Sequence, residues 1–123
     1  MPITSVKADS DLLAFVTAGR MTCEEILEGI RAHYPTFNGR RTLWDFSQAD
    51  VTKLSQADFS RIAAAASAVL PRAMTRKTAY VVSDQASYVA ACKYLNEAIS
   101  ARLPAEYAVF TSLRSARDWL QNE

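Results

Sequence analysis

Residues 41–54 read Arg-Thr-Leu-Trp-Asp-Phe-Ser-Gln-Ala-Asp-Val-Thr-Lys-Leu. Thr42 to Phe46 predict a strand, because large and β-branched side chains fit a pleated, buried surface. Successive side chains of a strand face opposite ways. Trp44 and Phe46 therefore share one side, and Leu43 shares the other with Asp45. Large apolar groups on both sides mark a strand covered on two faces. The polar residues that follow predict a loop, and a helix begins at Ser55. Asp45 is the single charge within Thr42–Phe46, near the strand's carboxyl end. A carboxylate there is a structural anchor or part of a site.

On the amino-terminal side, Thr22-Cys-Glu-Glu25 is a capping box: the threonine hydroxyl accepts from free helix amides and Glu25 reaches back. Cys23, Ile26, Leu27, Ile30 and Tyr34 recur at helical spacing and predict one buried stripe. Pro35 ends that helix by restricting Tyr34 and withholding an amide. Asn38-Gly39 then leads into the strand. Ile3–Val6 and Leu12–Thr17 predict two earlier strands joined by a turn over Lys7–Ser10, with Gly19 punctuating the second. That connection is too short for a parallel crossover, so the pair forms a hairpin.

On the carboxyl-terminal side, Phe59, Ile62, Ala63, Ala66, Val69 and Leu70 form the stripe of the helix from Ser55. Asp58 sits in its first turn, where the dipole favours a negative charge. Thr78–Ser83 predicts a strand with apolar residues on both faces. Asp84 caps a third helix with the stripe Tyr88, Ala91, Cys92, Leu95 and Ile99. Tyr107–Thr111 predicts the last strand. Ser112 caps a final helix with Leu113, Ala116, Trp119 and Leu120 inward. A hairpin followed by alternating helices and strands predicts an α/β fold: a single domain over residues 1–123, with a mixed, mostly parallel sheet and four helices.

The 123 residues have room for one domain. Half are apolar and 22% charged, with a formal net charge of +1. No strong field draws the chain to nucleic acid or a membrane surface. The basic pairs Arg40-Arg41 and Arg76-Lys77 read as solvated strand starts. No apolar stretch approaches the roughly 20 residues of a membrane span, and the amino terminus does not read as a signal peptide. Cys23 and Cys92 are far apart, lack metal-ligand spacing and fall on apolar helix faces, where free cysteine acts as a small hydrophobe. A reduced, cytoplasmic protein is the expectation.

Leu43-Trp-Asp-Phe-Ser47, the polar loop after it and the helix near Ser55 resemble the STAS or SpoIIAA-like domains of bacterial anti-sigma factor antagonists. Val109-Phe-Thr-Ser-Leu-Arg-Ser-Ala-Arg-Asp-Trp-Leu120 resembles the strand and final helix of SpoIIAA-like proteins. The likeness covers most of the chain in element order. It implies a βα superhelix and a regulatory role through protein contacts. Regulatory members carry a phosphorylated serine in an Asp-Ser-Ser/Thr-Gly motif at the start of the helix that follows the loop. Here the region reads Thr52-Lys-Leu-Ser-Gln-Ala-Asp58, which points to a SpoIIAA-like branch other than the typical antagonists. Ser55 is the positional match and the implied phosphoacceptor.

Strand carboxyl ends of an open α/β sheet gather at one edge, where ligands tend to bind. Asp45, Ser47, Ser83, Asp84 and Ser112 reach that edge, with Thr17 and Thr111, as a candidate ligand or anion site. Capping is the competing reading for Ser55, Asp84 and Ser112. His33, the single histidine, reads as a last-turn residue favoured by the helix dipole. No phosphate loop, multi-histidine metal site or cofactor motif is present in the sequence. Strand aromatics such as Phe15, Trp44, Phe46 and Tyr80 read as core, or as the lining of an apolar pocket.

The expected function is a non-catalytic regulatory or protein-interaction domain. The alternative is a small-molecule or lipid-binding module using an apolar pocket or the strand-end site. A homodimer is also expected. Right-handed units wound in one direction place most helices on one face, so the other needs the remaining helices or a second subunit, and two-fold closure is the commonest.

Overall fold

The computed structural model describes residues 3–8, 11–37, 39–69, 76–100 and 105–122. Its strands are β1 (Ile3–Ala8), β2 (Leu12–Arg20), β3 (Arg41–Asp50), β4 (Arg76–Val81) and β5 (Ala105–Phe110). Its helices are α1 (Cys23–His33), α2 (Gln56–Val69), α3 (Gln85–Ser100) and α4 (Leu113–Gln121), with a 3-10 turn at Tyr34–Thr36. The sheet order is β1-β2-β3-β4-β5. The β1–β2 pair is antiparallel and the other pairs are parallel. The α/β fold with an amino-terminal hairpin is therefore as expected. Lys7 and Ala8, assigned to the turn from sequence, belong to β1 and pair with Ala14 and Leu13.

One winding direction places α1, α2 and α3 on one face of the sheet. Between them lies the larger core, which includes Phe15, Trp44, Phe46, Phe59, Ile62, Tyr80 and Tyr94. A row of rings crosses the sheet there. Phe15 stacks on Trp44 at 3.9 Å, Trp44 on Phe46 at 5.7 Å, Phe46 on Tyr80 at 6.2 Å, and Tyr80 on Tyr107 at 6.2 Å. The Trp44 indole Nε1 donates to the Tyr34 hydroxyl at 2.9 Å, so its one polar atom is satisfied in the core.

The α3 stripe is rotated from the expected one. Ser87, Ala90, Ala91 and Tyr94 are buried, whereas Tyr88 is 37% exposed. Tyr94 sets its ring edge-on to both Tyr80 and Tyr107. The Ala90-Ala91 pair lets the helix approach closely enough for that contact. The side chain of Ile99 and all of Leu70 lie outside the described residues.

The opposite face carries a smaller core of Leu43, Ala79, Val81, Ala116 and Leu120. Among the described residues helix α4 covers it, mainly over β3, β4 and β5. Leu113, expected inward, is 36% exposed at the helix start. The basic residues Arg41 and Lys77 are not simply solvated. Arg41 Nε donates to the Leu120 carbonyl, and Lys77 Nζ to the carbonyls of Trp119, at 3.2 Å, and Asn122. The carboxyl end of a helix presents unpaired carbonyls and partial negative charge, so it draws these cations out of water. Lys77 also lies over the Trp119 ring, 5.0 Å from its centroid.

Strand β3 continues past the expected Phe46 to Asp50, with its partner β2 alongside. Val16 pairs with Asp45, but Ala18 pairs with Gln48. Phe46 and Ser47 thus oppose the single residue Thr17, which is a β-bulge. The Asp45 carboxylate stabilises it. Its Oδ1 accepts from the Ser47 amide at 2.9 Å and the Ser47 hydroxyl at 2.6 Å. From across the ladder, buried Thr17 donates to the Asp45 carbonyl at 2.8 Å. One extra residue reverses the alternation beyond it. Gln48 faces solvent, while Ala49 and Val51 turn into the larger core.

Asp45→Ala removes both acceptor contacts and is expected to cost about 1.5–3 kcal/mol, the range for hydrogen bonds to a charged group. Asp45→Asn keeps an acceptor oxygen and is expected to cost less. Urea unfolding of the two variants checks the order.

Candidate functional site

Each α/β crossover begins its helix at the carboxyl edge of the sheet, so polar residues collect there. Most of those singled out from sequence are engaged locally. Asp84 Oδ1 accepts from the Ser87 amide at 2.7 Å, and Ser112 Oγ from the Ser115 amide at 3.3 Å. These are cap contacts at the starts of α3 and α4. Asp45 and Ser47 are brought together, but within the bulge. Ser83 is exposed, and so is Thr111. The side chains of Asp84 and Ser112 serve helices on opposite faces of the sheet, so the set does not converge on one point.

Two other helix starts do come together. Thr22 caps α1: its hydroxyl accepts from the Glu25 amide at 3.3 Å and donates to Glu25 Oε1 at 2.7 Å. Ser55 caps α2 in a reciprocal box. Its hydroxyl accepts from the Asp58 amide at 3.1 Å, and its own amide donates to Asp58 Oδ2 at 2.9 Å. Between these ends lies a cleft of about 370 Å³ lined by Arg20, Thr22, Cys23, Glu24, Lys53, Leu54, Asp58 and Arg61, among others. Arg61 pairs with Glu24 across it at 2.6 Å. The amide of Ser55 and, less strongly, its hydroxyl hold the Asp58 carboxyl below its usual range. Burial pushes the Cys23 thiol up, so it stays protonated, with Sγ 3.8 Å from the Asp58 carbonyl.

Behind the cleft lies an apolar cavity of about 40 Å³ between the sheet and α1–α3. Its walls include Ile26, Ile30, Tyr34, Trp44, Phe46, Phe59, Ile62, Ala91 and Tyr94, and Val51 and Leu54 from the β3–α2 loop. Among the described residues, no lining side chain carries a charge. The tyrosine hydroxyls on this side are held neutral. Burial raises Tyr80 well above its ordinary value and Tyr94 to about 12, and raises Tyr107 as well. Leu54 lines both cleft and cavity.

Sequence reasoning read the strand aromatics as core or, alternatively, as a pocket lining; of these, Trp44, Phe46 and Tyr80 line the cavity, while Phe15, Tyr107 and Phe110 do not appear in its walls. That reasoning missed Val51 and Leu54, whose inward turn depends on the bulge, and Tyr94, whose helix is rotated. His33 ends α1, with its ring 5.7 Å from Phe15 in an edge-on contact. It lies a full helix, roughly 16 Å at 1.5 Å per residue, from the helix starts at the cleft. Among the described residues, no group of three His, Cys, Asp or Glu side chains is placed to hold a metal ion, and no helix is long and apolar enough to cross a membrane.

The depressed Asp58 pKa has a sign. A carboxylate favoured in the folded state contributes stability above the ordinary value of 3.8, and loses it as pH falls through the lowered folded value. The stability difference between the natural chain and Asp58→Ala is therefore expected to be constant near neutral pH and to shrink on acidification below about pH 4. Urea midpoints measured across that range check it.

No family model matches the chain, and neither a curated protein nor a solved structure matches it.

Proposed function

We propose that the chain is a non-catalytic regulatory domain that docks a protein partner at the cleft between the starts of α1 and α2. The observation that carries this reading is the exposed Ser55–Asp58 box at the rim of a charged cleft. The position of Ser55 corresponds to the phosphoacceptor implied by the likeness to SpoIIAA-like domains. Supporting it, the polar groups there are engaged in caps and an ion pair, and His33 lies far from every serine of that edge. A partner would meet alternating charges from Arg20, Lys53, Glu24 and Asp58, which favours specificity over a general electrostatic attraction.

Phosphate on Ser55 Oγ would add about −1.5 to −2 charge beside the Asp58 carboxylate. Repulsion would open the box and reverse the charge balance of the cleft rim, although α2's free amides would attract the group. Phosphopeptide mapping of protein from its native host is expected to find the modification at Ser55. A Ser55→Glu variant that folds normally is expected to lose the partner retained by the natural chain. Unmodified Ser55 with the cognate kinase active, together with unchanged retention by Ser55→Glu, rejects the reading.

The same reading includes a homodimer formed through the sheet face that α4 leaves open over β1 and β2. Val16 is 37% exposed there, with Ala14 half-buried beside it. Light scattering at micromolar concentration is expected to give twice the monomer mass, and Val16→Lys the monomer mass. A monomer mass for the natural chain rejects the dimer.

A further inference from the structure

The cavity behind the cleft is larger than one water needs and too apolar to favour water. A buried water needs about 10–15 Å³ and two to four polar partners. The cavity offers about 40 Å³, but the polar atoms around it are already engaged. Trp44 Nε1 is given to the Tyr34 hydroxyl, and among the described residues no polar side-chain atom of the walls is buried without a partner. Apolar walls without free polar partners leave such a space dry and able to take an apolar guest.

Its position supplies the entrance. The inner walls belong to the sheet and helices, but the outer wall is the β3–α2 loop. Val51 is anchored in the core and Thr52 is tied to Asp50 Oδ1 through its amide, at 2.8 Å, and its hydroxyl, at 2.5 Å, whereas the Leu54 amide donates to the Val51 carbonyl at a long 3.4 Å. Leu54 is half-buried and separates the cavity from the solvent-filled cleft.

We propose that this cavity is a binding site for a small, neutral, apolar ligand that enters from the cleft past Leu54. The ligand class follows from the walls, which offer aliphatic and aromatic carbon and no charge. Size limits it further. A cavity of about 150 Å³ takes benzene, so a single-ring compound needs Leu54 displaced, whereas a xenon-sized guest does not. The proposal does not rest on the docking reading, since Ser55→Glu alters the cleft rim and leaves the cavity walls unchanged.

Xenon is the probe, followed in methyl carbon–proton spectra of the full chain. Saturable shifts are expected at the methyls of Ile26, Ile30, Val51, Leu54 and Ile62, and none at Leu43 or Leu120 in the core under and on α4. Ala91→Leu fills the cavity and is expected to abolish the saturable shifts. Leu54→Ala removes the barrier, and benzene is expected to raise its melting temperature by several degrees while leaving the natural chain's unchanged. Shifts that rise linearly with xenon pressure, or equally at Leu120, overturn the proposal. So does a saturable response that survives in folded Ala91→Leu. Should Ala91→Leu fail to fold, absence of any benzene effect on Leu54→Ala overturns it.

Discussion

The carboxylate of Asp45 holds the amide and hydroxyl of Ser47, and most of the carboxyl half of the site depends on that contact. The pairing puts an extra residue into β3 opposite Thr17. A regular strand would aim Gln48 and Asp50 at the core, where each would need a buried partner. The bulge sends Ala49 and Val51 inward instead, so β2 and β3 run on together past the end of β4. The Met21 amide, at the entry to α1, then binds the Asp50 carbonyl at 2.9 Å. In this way the starts of α1 and α2 lie beside each other and enclose the cleft.

The amino edge depends on a different device. Gly39 is buried where a Cβ would lie 2.7 Å from the Asp11 backbone and closer still to the Phe37 ring. Only glycine allows the chain to pass there. The Arg41 amide then donates to the Asp11 carbonyl at 3.1 Å, which fixes the first rung between β2 and β3. The Arg41 side chain pairs with the Asp11 carboxylate and also caps α4. One residue thus ties the register of the sheet to the helix that covers its second face. Truncating it removes more than a surface charge.

The two faces of the sheet divide the work. The α4 face has an aliphatic core, flanked by Phe110 and Trp119, that anchors a short helix. The other face is aromatic, and rings pack with fixed stacking geometry instead of flowing into every gap. That geometry leaves the cavity under the β3–α2 loop. A loop bordering both an internal cavity and an external cleft connects the two spaces through one side chain, Leu54.

The sequence by itself determined what local interactions govern. The capping residues Thr22, Asp84 and Ser112 were legible because a cap joins atoms three residues apart. The α1 stripe was legible because its apolar positions are strongly periodic, and Trp44 and Phe46 because a two-residue alternation assigns a strand its faces. Tertiary structure alone decided the rest. The bulge at Asp45 needs Thr17, 28 positions away, to supply the partner strand. Arg41 and Lys77 became helix anchors only once α4, 79 and 42 positions further on, had docked. Helix α3 is rich in alanine on several sides, so its own sequence fixes its rotation weakly. The rings of Tyr80 and Tyr107 settle it, because Tyr94 gains edge contacts with both that Tyr88 cannot reach. Cleft and cavity belong to this second class: they exist only where separate segments meet.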